Sequence, residues 1–287
     1  MLTIESPDEM RAWAREQAAS DRTIGLVPTM GALHGGHLAL IADASRRCDV
    51  VVVSIFVNPL QFNEADDFGN YPRPIDNDVA NCQAAGVSVV YAPSGSAMYP
   101  EHFQTRVILG TLAEVMEGPM RPGHFEGVAT VVSKLFGAVR PDVSIFGEKD
   151  FQQLAVITQM AADLDTGIEV VGHPIVRDPD GVAQSSRNRR LTPAQRAAAV
   201  CVPKSLTAAR IAAAGGAEPG DVIAAAAAII DSEPLTEREY ITIFDARTLT
   251  EIERFEIINR RARAVRIATA VWFGNVRLID NCDLFGE

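Results

Sequence analysis

The chain has 287 residues, 47% of them hydrophobic and 22% charged, enough to build a sizeable core in one large domain or two. A formal net charge of −11 argues against nucleic acid as a general partner, and any anionic ligand must be drawn in by a local basic cluster against the global field. No apolar run approaches the ~20 residues of a membrane span. The longest, Ile223 to Ile230, is short and Ala-rich, and Met1 to Glu5 lacks the regions of a signal peptide, so the expectation is a cytoplasmic protein without a membrane partner. Cys48, Cys82, Cys201 and Cys282 are widely spaced and read as reduced thiols.

Residues 5–19 carry Met10, Trp13 and Ala14 at helical spacing. Thr23 to Pro28 reads as a short buried strand, and Leu38 to Arg47 as a helix with Leu38, Leu40 and Ile41 on its apolar face. Between them runs Thr29-Met30-Gly31-Ala32-Leu33-His34-Gly35-Gly36-His37, a strand-to-helix turn with two histidines three apart. A helix N-terminus offers unpaired N–H groups and partial positive charge, which suits a phosphate. Each histidine can donate to an oxyanion and carry a proton near neutral pH. The bland alternative is a pair of surface or capping residues, at even odds when the turn is taken alone. A zinc site is disfavoured, because no nearby Cys or carboxylate completes a ligand set.

Cys48 to Val57 is a β-branched run typical of a strand covered on both faces. It breaks at Asn58-Pro59-Leu60-Gln61, which places Asn58 and Gln61 at a strand's carboxyl end, where open α/β sheets bind ligands. Plain turn formation is the competing reading for both. Asn63 to Asn70 reads as a polar loop, Tyr71-Pro72-Arg73-Pro74 as a rigid turn, and Asp76 to Ala85 as a helix ending at Gly86. Val87 to Tyr91 and Phe103 to Leu109 read as strands, and Leu112 to Glu117 as a short helical piece. Arg121 and His124 sit on a Gly/Pro-rich loop entering a helix at Val128 to Val139. Asp142 to Phe146 reads as a strand leading to Gly147-Glu148-Lys149-Asp150, a charged turn before a helix through Gln152 and Gln153. Glu169 to Val176 holds a further strand.

The composition shifts near Val176. Gln184-Ser185-Ser186-Arg187-Asn188-Arg189-Arg190 sets small and amide side chains among three arginines, an anion-binding patch, although Arg189 and Arg190 also suit a solvated linker. Thr192 and Pro193 form a helix start. Two Ala-rich helices split at Gly215-Gly216, and strands at 240–245, 264–272 and 276–279 complete a small α+β region. The alternation of strands and helices predicts a Rossmann-like α/β domain over 1–175, a parallel sheet with flanking helices. A smaller α+β C-terminal domain is expected over 176–287, joined at a mobile basic segment that suggests a lid.

The motifs occur together in order: Pro28 to His37, Val53 to Phe62, Tyr71-Pro72-Arg73, Arg121 to Phe125, Phe146 to Asp150 with Gln152-Gln153-Leu154, Ser185-Ser186-Arg187-Asn188, and Leu278-Ile279-Asp280-Asn281. His-x-Gly-His marks nucleotidyl-transfer enzymes that bind ATP without a Gly-Lys-Ser/Thr loop. The whole series resembles the pantothenate synthetases, or pantoate–β-alanine ligases, from about residue 2 to residue 283. The resemblance implies ATP-dependent adenylation of pantoate, attack by the amine of β-alanine, Mg2+ carried mainly on the ATP phosphates, and a homodimer. It also implies roles. Met30, Gly31, Ala32, Leu33, His34, Gly35, Gly36 and His37 would line the ATP site, with His34 and His37 on the phosphates and His37 as proton donor. Gln61 and Gln153 would hold pantoate, and Gln61 would also meet β-alanine. Gly147, Glu148, Lys149 and Asp150 would bind ATP, with Lys149 on the phosphates and Asp150 toward the ribose. Val176 would touch adenine through its backbone, and Gln184, Ser185, Ser186 and Arg187 would clasp the β- and γ-phosphates. Asn58, Tyr71, Arg121 and His124 match family positions in the substrate region. Gly35, Gln184 and Trp272-Phe273 depart from the family's usual residues. Two other readings are a nucleotidyltransferase that stops at an adenylylated product and a silent nucleotide binder.

Overall fold

The computed structural model describes residues 1–62, 68–69, 71–255 and 265–286. The chain divides into two compact units, Met1–Glu148 with Gln152–Pro174, and Lys149–Phe151 with Ile175–Glu287.

The first unit is built on a six-stranded parallel sheet: β1 (Leu2–Ile4), β2 (Ile24–Thr29), β3 (Val50–Ile55), β4 (Val89–Tyr91), β5 (Val143–Gly147) and β6 (Glu169–His173), in the order β1-β4-β3-β2-β5-β6. Its helices are α1 (Pro7–Ala18), α2 (Gly35–Arg47), α3 (Ile75–Ala84), α4 (His124–Val139) and α5 (Phe151–Asp163), the last beginning with Phe151 of the second unit. Side chains alternate between two cores, as strand pleating requires. Leu26, Val50, Val52 and Val89 pack with Met10 of α1, Val128 and Val132 of α4 and Ile157 of α5. Val27, Val51, Val53 and Val90 pack with Leu40 and Ile41 of α2 and Cys82 of α3. Burial on both faces explains the mainly apolar runs of β2, β3 and β5, in which even Ser54 and Ser144 are fully buried. The strand order reverses between β2 and β5, so their carboxyl ends flank the crevice where such sheets bind ligands.

The second unit has an antiparallel sheet of β7 (Glu237–Asp245), β8 (Val265–Phe273) and β9 (Val276–Asp283), with helices α6 (Pro193–Ala198), α7 (Cys201–Ala214) and α8 (Pro219–Asp231). Thr192 caps α6 in a capping box with Gln195, and Pro193 is its first residue, as the sequence predicts. The helical run Pro193–Ala214, made of α6, α7 and the turn between them, spans 22 residues and is the one described helical run that reaches bilayer length by length and composition. This corrects the expectation that nothing approaches that length. Ala198, Val202, Leu206, Ala209 and Ala213 are buried in the unit's two cores with residues of α8, β8 and β9, so the run packs as a core helix.

Three expectations change, and one strand is added. Phe103 to Leu109 is not a strand. The alternation arises because Val107 and Leu109 pack on the core while Ile108 is 80% exposed. Val107 N–H donates to Thr130 Oγ1 (3.0 Å) instead of to a neighbouring strand. Strand β1 is too short, at three residues, to show a pattern. Helix α4 begins at His124, four residues early, because Gly123 adopts a left-handed φ of +79° that turns the chain into the helix. Leu38 is exposed on α2, whereas Leu40 and Ile41 are buried. The predicted loop falls mostly on residues 63–67 and 70, outside the described residues, as does Ala264 at the start of the predicted 264–272 strand.

Candidate active site

The histidine turn leaves β2 and enters α2. His34 is the N-cap, with extended backbone, and its Nδ1 accepts the Gly36 N–H (3.2 Å). The Nδ1 of His37 accepts the His34 N–H (3.3 Å), which completes a reciprocal cap. The ring centroids lie 4.1 Å apart. An Nδ1 that accepts places the proton of the neutral ring on Nε2. Both histidines therefore carry Nε2–H donors at a helix N-terminus whose dipole favours an anion. The capping reading of the histidines and the functional one are thus compatible: the cap uses one nitrogen of each ring. Gly36 is required sterically, since a Cβ there would stand 2.9 Å from Nδ1 and Cε1 of His34.

Asp78, which the sequence reading leaves without a role, pins this turn. It is 1% exposed, and its carboxylate accepts the Ala32 N–H (2.7 Å) and the Leu33 N–H (2.8 Å). Ala32 is held at a φ of +53°, a conformation unfavourable for a residue with a Cβ. Asp78 lies in the first turn of α3, where an acidic residue is expected for the helix dipole alone, so its sequence gives no sign of this work.

At the end of β3, Asn58 and Gln61 are buried, 1% and 8% exposed. Asn58 Nδ2 donates to Gln61 Oε1 (2.9 Å) and to the Gly127 carbonyl (3.0 Å). Asn58 Oδ1 accepts from the Leu60 N–H (3.2 Å) and from the Tyr99 hydroxyl (2.8 Å), whose pKa burial pushes up so that it stays a donor. Gln61 Nε2 donates to the Met30 sulfur (3.2 Å), a weak acceptor that a stronger one can replace at small cost. Beneath them, His124 Nδ1 donates to the Gln61 carbonyl (2.9 Å), and Arg121 Nη1 donates to His124 Nε2 (3.1 Å). Because arginine only donates and a carbonyl only accepts, His124 is the Nδ1–H tautomer. Asn58, Arg121 and His124 therefore hold the Gln61 segment in place, and Asn58 also caps the turn at Pro59–Gln61, as its turn-forming reading expects. Gly127 permits this packing, because a Cβ there would lie 2.3 Å from the Leu60 carbonyl oxygen. Tyr71 packs edge-on against Phe62 (5.8 Å). Gly147 ends β5, Glu148 opens the tight helical turn that follows it, and Gln153 is half-buried in the first turn of α5.

In the second unit, Lys149 and Asp150 form an ion pair (3.8 Å). Lys149 lines a small cavity with Ala183, Asn188 and Asp280, so the lysine and the Ser185–Arg190 segment are brought together within this unit. That segment is a tight helical turn at Ser186–Arg190, with Ser185 as its cap: Ser185 Oγ accepts the Arg187 N–H (3.2 Å). The Val176 carbonyl accepts the Gln184 N–H (2.9 Å), which pins the start of the loop. The amide nitrogens of Gln184 and Asn188 donate to Asp178 Oδ1 and to the Ala183 carbonyl, both at 3.0 Å. Their Oε1 and Oδ1 atoms are buried without a partner among the described residues. This refines the expected anion patch: the amides are spent on the loop's own structure, and the donors that suit an anion are Ser185, Ser186 and Arg187. Arg189 and Arg190 are exposed.

A sequence profile of the Pantoate-beta-alanine ligase family matches residues 2–283. The chain is 50% identical over 284 residues to a pantothenate synthetase of Heliobacterium modesticaldum, with 98% of each chain covered. It is 47% identical over 273 residues to one of Acidothermus cellulolyticus, covering 95% of this chain and 88% of the relative. Among solved structures it matches a pantothenate synthetase of Thermus thermophilus with a TM-score of 0.92 at 41% identity over the whole of both chains. It also matches a pantoate-beta-alanine ligase of Francisella tularensis complexed with beta-gamma ATP and beta-alanine, with a TM-score of 0.81 at 31% identity over 100% and 99% of the two chains.

Proposed function

The chain belongs to the pantoate–β-alanine ligase family, and from that premise we propose that it joins (R)-pantoate to β-alanine through a pantoyl adenylate. In the first step a pantoate carboxylate oxygen forms a bond to the α-phosphorus of ATP, and the bond to the pyrophosphate oxygen breaks. In the second, the amine nitrogen of β-alanine bonds to the acyl carbon, the acyl–oxygen bond breaks, AMP leaves with the electron pair, and the amine releases a proton. No protein nucleophile is required. The protein supplies alignment and donors aimed where phosphate charge develops.

The observation that carries this reading is the pair of Nδ1 caps, which assigns the proton of each neutral ring to Nε2 at the N-terminus of α2. His34 and His37 meet the phosphates, and His37 gives its Nε2 proton to the departing group. The rest of the turn, from Met30 to Gly36, and Gly147 and Glu148 after β5 line the nucleotide site. Gln61 and Gln153 hold pantoate, Gln61 exchanging its sulfur contact for a substrate oxygen, and Gln61 later meets β-alanine. Lys149, Ser185, Ser186 and Arg187 bind the β- and γ-phosphates, Asp150 the ribose and Val176 the adenine edge. These groups are mainly cationic or neutral donors and fit phosphate oxygens. Mg2+ therefore belongs on the ATP phosphates, where it supplies charge neutralisation.

We propose that the protein works as a homodimer. Ile108, 80% exposed in the 103–109 segment, offers apolar surface to a second copy. Four free cysteines support a reducing, cytoplasmic compartment.

The test is exchange of labelled pyrophosphate into ATP with pantoate present and β-alanine absent. Pantoate-dependent exchange is expected, followed by pantothenate and AMP on adding β-alanine. No exchange from folded protein supplied with magnesium would refute the ligase reading. A stable adenylylated product that ignores amines would replace it with a simple nucleotidyltransferase.

A further inference from the structure

Strand β9 carries two adjacent buried polar residues, Asp280 and Asn281, each 2% exposed. Polar side chains this deep need a purpose, because desolvating them costs free energy unless every bond is recovered. Asp280 accepts a paired contact from Arg177 Nη1 (2.6 Å) and Nη2 (3.0 Å), and Arg177 Nη1 also donates to the Gly181 carbonyl (2.9 Å). That side of β9 fastens the turn that leads into Gln184–Arg187. Asn281 grips a different segment. Its Nδ2 donates to the backbone carbonyl of Lys149 (3.0 Å). Its Oδ1 accepts from Arg266 Nε (3.1 Å) and Nη2 (2.7 Å), which fixes the amide so that the nitrogen faces Lys149. Arg266 in turn lies over the Phe151 ring, 4.2 Å from its centroid, and Phe151 meets Phe244 at 5.9 Å.

We propose that Asn281 is a positioning residue for Lys149. With Asp280 beside it, one step of β9 sets the spacing between the lysine and the Ser185–Arg187 loop, so that both meet one triphosphate. This rests on the reading that Lys149 binds the ATP phosphates. Asn281 touches no substrate and acts only through the backbone that carries the lysine side chain.

The prediction is a coupling. Asn281→Asp keeps the acceptor for Arg266 but turns the donor facing Lys149 into an acceptor. Asn281→Ser is the second variant, with a donor too short to reach the carbonyl, and is the one measured if the carboxylate variant does not fold. ATP affinity is measured by titration calorimetry for wild type, each Asn281 variant, Lys149→Ala and the double variants. Each Asn281 variant is expected to weaken ATP about tenfold in the wild-type background and less than twofold where Lys149 is already alanine, with the KM for β-alanine unchanged. Equal losses in both backgrounds, or no loss in the first, would overturn the inference while leaving the ligase reading intact. If Lys149→Ala alone leaves ATP affinity unchanged, the lysine's phosphate role fails and the inference falls with it. Pantoate-dependent exchange by the wild type, scored separately, tells whether the ligase reading stands.

Discussion

Replacing Asp78 by asparagine isolates the brace under the histidine turn. The native carboxylate accepts two backbone N–H groups, at 2.7 and 2.8 Å, from a site that is 1% exposed. Asparagine keeps one oxygen and presents an NH2 to the second N–H, so one buried donor loses its acceptor and the surviving bond loses its charge. A hydrogen bond to a charged group contributes about 1.5–3 kcal/mol, and an unsatisfied buried donor costs about 1–3 kcal/mol. These overlap, which gives an expected loss of roughly 2–3 kcal/mol. For a domain of 150–250 residues that lowers Tm by about 4–12 °C. Freed from the brace, Ala32 can leave its left-handed conformation and shift both histidines, and a displacement near 1 Å costs about 10²-fold in rate. The assay pairs thermal unfolding with pantoate-dependent pyrophosphate exchange well below the variant's Tm. Unchanged Tm and unchanged exchange would refute the bracing argument. A lowered Tm with normal exchange would reduce Asp78 to a stabilising residue.

Three further outcomes are expected. His37→Ala should retain the fold, judged by circular dichroism, and slow exchange by about 10²- to 10⁴-fold, the range for a lost proton donor; unchanged turnover would remove His37 from the chemistry. Gly127→Ala pushes a Cβ to 2.3 Å from the Leu60 carbonyl oxygen, so chemical denaturation should show a loss of about 1–3 kcal/mol and the pantoate KM should rise; an unaltered midpoint would mean that the turn yields freely. Asp43 is subject to burial, which raises its pKa, but the hydrogen bond from His173 and the charges of Arg47 and Arg46 outweigh that and hold it below 3.8. A depressed carboxylate contributes stability that is complete above its unfolded value and is lost as the pH falls through the lower folded one. Asp43→Asn should therefore be less stable than wild type at pH 7, with the gap closing as the pH drops below 3.8; a gap independent of pH would discount the ion pair.

The parallel sheet was legible because β2, β3 and β5 are buried on both faces and so read as mainly apolar runs. The histidine turn was legible because a strand, a glycine-rich break and a helical pattern follow one another within a short stretch of chain. The segment at 103–109 misled because packing one side of a segment on a core produces the same alternation as a strand, whether or not a neighbouring strand exists. Asp78 and Gly127 were silent for a different reason. Each acts on a backbone far away in sequence, 46 residues in the first case and 67 for the Leu60 contact, and no local pattern encodes such a pairing. The side-chain amides of Gln184 and Asn188 donate to Asp178 and to the Ala183 carbonyl, pairings that only the folded loop reveals.

The assignment of Lys149–Phe151 to the C-terminal unit bears on how such a chain is divided and recombined. Its halves are not modules that part at one peptide bond. A fragment beginning at Ile175 would leave behind the ring on which Arg266 stacks and the carbonyl that Asn281 grips. A chimera made by grafting one relative's C-terminal half onto another's N-terminal half at residue 175 would mismatch a three-residue inlay placed before the junction. The graft that respects the fold therefore carries Lys149, Asp150 and Phe151 along with the half to which they belong.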